Sequence, residues 1–315
     1  MGSGVSAPLK AVLPTRDGVG ASCVSLPEGP WATITDFLVQ RFPAQPRDVW
    51  VQRMHDGAVV DEAGLVVTPL RSYQSRLKVY YYRSLPTEAR IPFDEVLLFQ
   101  DAHLLVVDKP HFLPVVPSGR YLQETLLVRL KRRLGLEALV PIHRIDRDTA
   151  GLVMFSVQSA TRDHYHALFR NRLVDKTYEA IAPWRNDLQF PLTRSSRIGP
   201  SAHFMQQQEL PGAPNTTTHI ALLARHGERA HYQLRPVTGH RHQLRVHMAA
   251  LGIPIIGDGI YPVLTPEARP DYQRPLQLLA RSLQFTDPLC GEVRRFDSLR
   301  VLGLYNVNTN LSAHS

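Results

Sequence analysis

The segment His143-Arg144-Ile145-Asp146-Arg147-Asp148-Thr149-Ala150-Gly151-Leu152-Val153-Met154-Phe155 places charged residues directly before an apolar run of strand length. Three basic and two acidic side chains fall within its first six residues. Charges that meet a buried strand are costly unless each finds a partner, so this arrangement favours a functional site. Asp146 lies close to Arg144 and Arg147, and nearby cations favour the charged carboxylate. We therefore expect Asp146 to be ionised at neutral pH and to be a candidate nucleophile.

The same pattern also fits a solvated loop, because charge clusters at the entrance of a strand commonly face water. By itself the segment leaves both interpretations open. Other parts of the chain have to decide between them.

A resemblance to a known family favours the functional site. The stretch from His143 to Gly151 resembles the His-Arg-Leu-Asp-Arg-x-Thr-Ser/Thr-Gly signature of the RluA-type pseudouridine synthases. In that family the aspartate is the single essential catalytic residue, a role that the resemblance assigns to Asp146. Ala150 departs from the signature, since the family usually has Ser or Thr there.

A second segment resembles the same family. Lys176-Thr177-Tyr178-Glu179-Ala180 alternates as a strand would and resembles the motif Lys-x-Tyr-x-Ala, in which the tyrosine lies over the target base. A tyrosine ring can stack on uracil and its hydroxyl can relay a proton, so Tyr178 suits this role. Without Asp146 in the chain, Tyr178 would be interpreted as an ordinary packing residue.

The third match spans residues 237–258 and resembles Thr-Gly-Arg-x-His-Gln-Leu/Ile-Arg-x-His followed by Pro-Ile-x-Gly-Asp. Arg245 falls where the family places the arginine that pairs with the catalytic carboxylate. A planar guanidinium could hold Asp146 through two parallel hydrogen bonds. His240 stands where the family usually has arginine, so a phosphate contact expected at that position would pass to Arg241.

The resemblance also implies a set of residues that contact RNA. Arg144 is the residue that fills the gap left when the target nucleotide flips out of its stack. The other expected RNA contacts lie within or beside the three motifs: Arg147, Lys176, Arg241, His242 and Gln243.

The composition of the 315-residue chain is that of a globular protein with a polyanionic partner. Its formal charge is +8 and its pI about 9.7, which favours nucleic acid. Cys23 and Cys290 stand far apart without a CxxC pair, which argues against a disulfide framework or a thiolate zinc site. No apolar run approaches the roughly 20 residues that span a bilayer, and the N-terminus lacks a signal pattern. We expect a cytoplasmic protein with no membrane partner.

The N-terminal part of the chain has two regions. Residues 1–28 are rich in Gly, Ser, Ala and Pro, which predicts a flexible tail. Residues 29–88 predict two helices and short strands, and they loosely resemble the small S4-like RNA-binding module, named after a ribosomal protein. Because the first 90 residues are nearly balanced in charge, a packing or positioning role is an equal alternative to RNA binding. A linker is expected between Pro86 and Pro92.

The rest of the chain is expected to form the catalytic domain, residues 89–305, followed by a C-terminal tail, residues 306–315. The resemblance implies the pseudouridine synthase fold, an α+β domain with a long, mostly antiparallel mixed sheet around a central cleft. The local patterns predict a hairpin over 96–110, helices over 122–134 and 162–172, and strands with long loops over 184–225.

A metal site is one alternative to this interpretation. His240, His242 and His247 could form a cluster, and two imidazoles at His-x-His spacing on a strand are compatible with zinc. Arg241 and Arg245 stand beside them and would repel a cation. We therefore predict no metal.

A non-catalytic RNA-binding protein, such as an assembly factor with the same fold, is the other alternative. It would explain the positive charge equally well. It would not explain why Asp146, Tyr178 and Arg245 occur together.

The resemblance implies that the protein converts uridine in structured RNA to pseudouridine, breaking the glycosidic bond to nitrogen and forming one to carbon. No cofactor is expected, because the two bonds are similar in energy and the base stays in the site. Large-subunit ribosomal RNA is the favoured substrate, transfer RNA is the alternative, and a monomer is expected.

Overall fold

The computed structural model describes residues 13–83, 88–265 and 271–303. The chain divides into two compact units. The first contains the described residues up to Ala89 together with Pro117–Gln123 and Val128–Glu137, and the second contains the remaining described residues. The sequence predicts a boundary near residue 88. It does not predict that the two later segments belong to the first unit. In the described ranges no helix is both long and apolar enough to cross a bilayer.

The described elements are, in chain order, β1 Ser22–Ser25, α1 Ile34–Arg41, α2 Arg47–His55, β2 Val59–Asp61, β3 Lys78–Tyr81, β4 Val96–Gln100, β5 Leu104–Lys109, α3 Leu126–Leu134, β6 Val140–Pro141, β7 Ala150–Ser156, α4 Arg162–Arg170, β8 Asp175–Pro183, β9 Leu192–Pro200, β10 Gln207–Leu210, β11 Thr216–His226, β12 Arg229–Pro236, α5 Gln243–Ala250, β13 Leu278–Thr286 and β14 Val293–Asp297.

The first unit combines α1 and α2 with an antiparallel sheet in the order β1-β3-β2. Helix α1 begins with a capping box, in which the Thr33 hydroxyl accepts the Asp36 N–H and the Asp36 carboxylate accepts the Thr33 N–H. The two helices bury Phe37, Leu38 and Trp50 against the sheet. The predicted order of two helices and then short strands is present, with β1 added in front.

The prediction that residues 1–28 form a flexible tail is wrong for part of that segment. Ser22–Ser25 is strand β1, and it pairs with β3. Val19 is buried against Leu122 and Val128, which follow it by about a hundred residues along the chain. Local sequence pattern cannot show such partners. Residues 1–12, the start of the expected linker at Pro86 and Thr87, and the expected tail 306–315 lie outside the described residues.

The second unit is built on an 11-stranded sheet whose main path is β10-β9-β11-β12-β8-β13-β7-β5-β4. Strand β14 pairs with β13, and β6 pairs with β7. The pair of β13 with β7 is parallel, and the other described pairs of this sheet are antiparallel. This is the mostly antiparallel mixed sheet that the sequence predicts.

Strand β7 fixes the end of the charged segment. All seven of its residues are buried between neighbouring strands, so the strand cannot shift without exposing apolar side chains. Gly151 has a φ of +109°, and a Cβ there would lie 2.3 Å from the carbonyl oxygen of Ala280. Only glycine permits this close approach of β7 to β13.

The predicted local elements are present, with shifts at their ends. The hairpin is β4 with β5, the helix expected over 122–134 begins at Leu126, and the helix expected over 162–172 ends at Arg170. The region 184–225 contains β9, β10 and β11. Helix ends are set by caps and tertiary contacts, which explains the shifts.

Candidate active site

Asp146 and Arg245 meet although 99 residues separate them in the chain. Asp146 lies in the loop between β6 and β7, with 30% of its side chain exposed. Arg245 lies on α5, which follows β12, and only 2% of its side chain is exposed. Its Nη1 donates a hydrogen bond of 3.0 Å to Oδ2 of Asp146. A partly exposed carboxylate is thus held by a buried cation.

The two parallel hydrogen bonds of Arg245 go to Asp258 and not to Asp146. Nε and Nη2 donate to the two oxygens of Asp258 at 2.8 and 2.7 Å. The N–H groups of Ile260 and Tyr261 also donate to Asp258. The expectation of a two-bond contact with Asp146 is therefore wrong, because a buried carboxylate occupies that edge of the guanidinium.

Asp258 is a residue to which sequence reasoning assigns no role. The Pro-Ile-x-Gly-Asp match includes it, but the pattern does not show that it faces Arg245. Its side chain is 1% exposed, and the ion pair with Arg245 is correspondingly buried. Asp258 fixes the guanidinium, which in turn orients Asp146.

The pKa of Asp146 lies below its ordinary value. Burial raises this pKa, but the charge of Arg245 and its hydrogen bond lower it by more, with further lowering from His242 and Lys109. The carboxylate is therefore ionised at neutral pH, as expected, but for a different reason. Arg147 pairs with Asp148 instead, and Arg144 is exposed.

Lys109 holds the backbone of the Asp146 loop from the other side. It is 0% exposed, and its Nζ donates to the carbonyl oxygens of Pro110, Leu113 and Arg147 at 2.8 to 2.9 Å. Burial lowers its pKa to about 7, although Asp148 and Asp146 raise it. In the sequence, Lys109 stands in the string Val106-Val107-Asp108-Lys109-Pro110. Strand ends commonly have such a composition, so the string by itself does not indicate this role.

Tyr178 lies on β8 and is half-buried against the core of the second unit. Burial and the negative charge of Asp146 both raise the pKa of its hydroxyl above the ordinary value. In the described part of the chain no hydrogen bond engages that hydroxyl. The group is a neutral phenol with its proton available.

The residues expected to contact RNA differ in their surroundings. Arg144 is exposed and has no hydrogen bond or ion pair among the described residues. Burial and Arg172 lower the pKa of Lys176, which donates a long hydrogen bond of 3.4 Å to Thr238. Arg241 donates to the carbonyl oxygens of Phe204 and Met205.

Two of these expectations disagree with the geometry. Gln243 is 3% exposed, and its amide makes four hydrogen bonds inside the protein, which argues against the predicted contact with RNA. The side chain of His242 is 7% exposed and faces Asp146 instead of the surface. His240, at the position where the family usually has arginine, is exposed.

The remaining histidine of the third motif is buried among hydroxyl groups of the protein. His247 is 0% exposed, and its two ring nitrogens lie within hydrogen-bond distance of the hydroxyls of Ser196, Thr216 and Thr218. Burial lowers its pKa to about 4. In the described ranges no three side chains of the types that bind metals converge.

Comparison with known proteins gives the class of this chain. The family model for RNA pseudouridylate synthase matches residues 103–250. An uncharacterised RNA pseudouridine synthase of Synechocystis is 31% identical over 75% of this chain and 83% of the relative. The dual-specificity RNA pseudouridine synthase RluA of Haemophilus influenzae is 33% identical over 64% of this chain and 91% of the relative.

A solved structure supports the fold. The human RNA pseudouridylate synthase domain containing 1 superposes with a TM-score of 0.54 at 22% identity, over 68% of this chain and 86% of that one. The fold is that of a pseudouridine synthase. The chain belongs to the RluA-type family of these enzymes and is an RNA pseudouridine synthase. The alternative of a non-catalytic RNA-binding protein is rejected.

We predict that Asp258→Ala lowers the free energy of unfolding by about 3 kcal/mol, because it leaves the buried Arg245 with one carboxylate instead of two. Urea denaturation monitored by tryptophan fluorescence measures the change. The control is Asp163→Ala, which removes an exposed ion pair with Arg170 on α4 and should leave stability unchanged. Equal stability of both variants would contradict the importance of the buried pair.

Proposed function

We propose that Asp146 either attacks the anomeric carbon of the target uridine or assists the departure of the uracil from that carbon. The observation that carries this proposal is the state of its carboxylate. It is ionised and partly exposed, and Oδ2 is held by Arg245 while no hydrogen bond reaches Oδ1 from the described residues. A charged oxygen without a hydrogen bond is the better nucleophile.

The reaction needs no external reactant. The bond from the ribose anomeric carbon to N1 breaks, the freed uracil rotates, and carbon 5 bonds to the same ribose carbon. Carbon 5 loses its proton and N1 gains one, so the atoms balance within the nucleotide. Asp146 acts either by forming a covalent bond to the sugar or by assisting elimination to a glycal.

Tyr178 is proposed to lie over the base and to carry the proton. Because the pKa of its hydroxyl is raised, little phenolate is present at neutral pH to act as a base. The hydroxyl instead accepts a proton from the reacting nucleotide in the step in which it passes its own proton on toward N1, the atom that gains one.

We predict that Tyr178→Phe lowers the single-turnover rate by about 10²–10⁴-fold, because the ring remains while proton transfer is lost. Tritium release from carbon 5 of uridine in unmodified RNA transcripts measures the rate. In the unchanged enzyme the neutral phenol is the main form below about pH 9, and the relay uses that form, so the rate should not rise tenfold per pH unit between about pH 6 and 9. Such a rise would identify a phenolate base and contradict the relay.

We predict that Asp146→Asn abolishes pseudouridine formation and spares RNA binding, because it keeps the size of the side chain and removes the charge. Tritium release measures turnover, and filter binding of the same transcripts measures affinity. Asp163→Asn, an exposed position on α4, is the matched control and should be fully active. An active Asp146→Asn enzyme would show that the assignment is wrong.

Arg144 is proposed to fill the place of the flipped nucleotide. Its position two residues before Asp146, its exposure and its lack of a described partner support this role. Extrusion of a base costs a few kcal/mol in structured RNA and less in a flexible strand.

We predict that Arg144→Ala loses more activity on a structured hairpin than on an unstructured strand with the same target sequence. Tritium release from the two substrates gives the ratio. Arg170→Ala, which changes an exposed arginine on α4, should affect neither. Equal losses on hairpin and strand would contradict the gap-filling role of Arg144.

Large-subunit ribosomal RNA is the proposed substrate, with transfer RNA as the alternative. The additional N-terminal unit supports this choice, because such modules are commoner in the ribosomal enzymes of the family. We propose that this unit positions the RNA. Pseudouridine mapping in cells with and without the gene tests the proposal. We expect a single ribosomal site to be missing without the gene, and we expect the active protein, but not Asp146→Asn, to restore it. A missing transfer RNA site would favour the alternative.

A further inference from the structure

His242 has an unusual backbone conformation beside the proposed catalytic carboxylate. It precedes α5 with φ 57° and ψ 13°, the left-handed region that side chains other than glycine seldom occupy. Such a conformation is strained and is found preferentially at functional sites. Here it accompanies an imidazole that is turned inward, with 7% of the side chain exposed.

Tyr261 lies on the far side of the imidazole. Its hydroxyl oxygen is 2.9 Å from Nδ1 of His242 and accepts the backbone N–H of Gln207 at 2.7 Å. A tyrosine hydroxyl has one proton to donate. Gln207 already donates to the hydroxyl oxygen of Tyr261. The hydroxyl proton finds an acceptor when it is donated to Nδ1 of His242.

This contact favours one tautomer of His242. If Nδ1 accepts a hydrogen bond, the proton of the neutral ring lies on Nε2. Nε2 is the atom that faces Oδ1 of Asp146, at 3.8 Å. The other tautomer would direct a lone pair at the carboxylate.

The imidazole is neutral at physiological pH. Burial, together with the charges of Arg245 and Arg241, lowers the pKa of His242 to about 4, although Asp146 and Asp258 raise it. His242 therefore presents an N–H dipole to Asp146 without adding a full positive charge that would quench the nucleophile.

We propose that His242 is a positioning residue for Asp146, with its tautomer fixed by Tyr261. Arg245 holds Oδ2, and the Nε2–H of His242 faces Oδ1, so the carboxylate is confined between two donors. Oδ1 remains free of a short hydrogen bond. The distance of 3.8 Å is too long for a hydrogen bond, so Oδ1 is oriented and remains reactive. The functional part of this inference rests on the proposed role of Asp146.

The first test is the tautomer itself. Nitrogen-15 spectra of histidine-labelled protein should show His242 protonated at Nε2, assigned by comparison with His242→Gln. Tyr261→Phe removes only the hydroxyl and should shift the ring toward the Nδ1-protonated form. Tyr232→Phe is the control, because it removes the hydroxyl of another buried tyrosine of the same unit, which donates to the carbonyl oxygen of Pro183. An Nδ1 proton in the unchanged protein, or no response to Tyr261→Phe, would overturn the proposal.

The second test is kinetic. His242→Met removes the donor at similar volume, whereas His242→Gln keeps an amide donor. We expect the single-turnover rate of tritium release from unmodified ribosomal and transfer RNA transcripts to fall about 10- to 100-fold for Met, because the carboxylate loses the N–H dipole that orients Oδ1 and a misplaced reacting group costs up to about 100-fold in rate. The Gln variant should recover most of this loss, with RNA affinity unchanged in both. Equal rates for the two variants would overturn the positioning role.

The result for Asp146→Asn separates this inference from the proposed function. If that variant is active, the assignment of Asp146 fails, while the nitrogen-15 spectra still report the tautomer. If it is inactive and the Met and Gln variants do not differ, the function stands and the role of His242 fails. Should Met prevent folding, Tyr261→Phe supplies the same rate comparison against Tyr232→Phe.

Discussion

The site depends on a single buried guanidinium shared by two carboxylates. Arg245 donates to Asp258 with one edge and to Asp146 with its remaining nitrogen. Burial of charges is costly, and the cost is offset only when the geometry is good and the remaining lone pairs are satisfied. The N–H groups of Ile260 and Tyr261 meet that condition at Asp258. The orientation of Asp146 is therefore set by residues about a hundred positions later in the chain.

The backbone that carries Asp146 is fixed independently of its side chain. Lys109 binds three carbonyl oxygens, one of them that of Arg147, the residue directly after Asp146. Strand β7 follows and is anchored by its burial and by the close approach at Gly151. A loop held at both places loses little entropy when substrate binds, which favours a preorganised site.

Most of the charged and polar side chains near Asp146 have protein partners. Arg147 pairs with Asp148, Arg241 binds two carbonyl oxygens, and Gln243 is used internally. Among the described residues of the charged segment, Arg144 stands out as exposed without a partner. The positive charge of the sequence therefore overstates how many residues at this site are free to meet phosphate.

The sequence alone determined the local elements through short-range pattern, such as an apolar strand after a charged loop and the alternation around Tyr178. Its resemblance to the family determined the class of fold and the three segments that contain Asp146, Tyr178 and Arg245. Tertiary structure decided which groups pair. It placed Asp258 on the two-bond edge of Arg245, turned His242 inward, added β1 to the first sheet and joined residues 117–137 in part to the first unit. Hydrogen bonds and ion pairs act over a few ångströms in space, and neighbours in space are separated here by a hundred residues, so no local pattern can specify them.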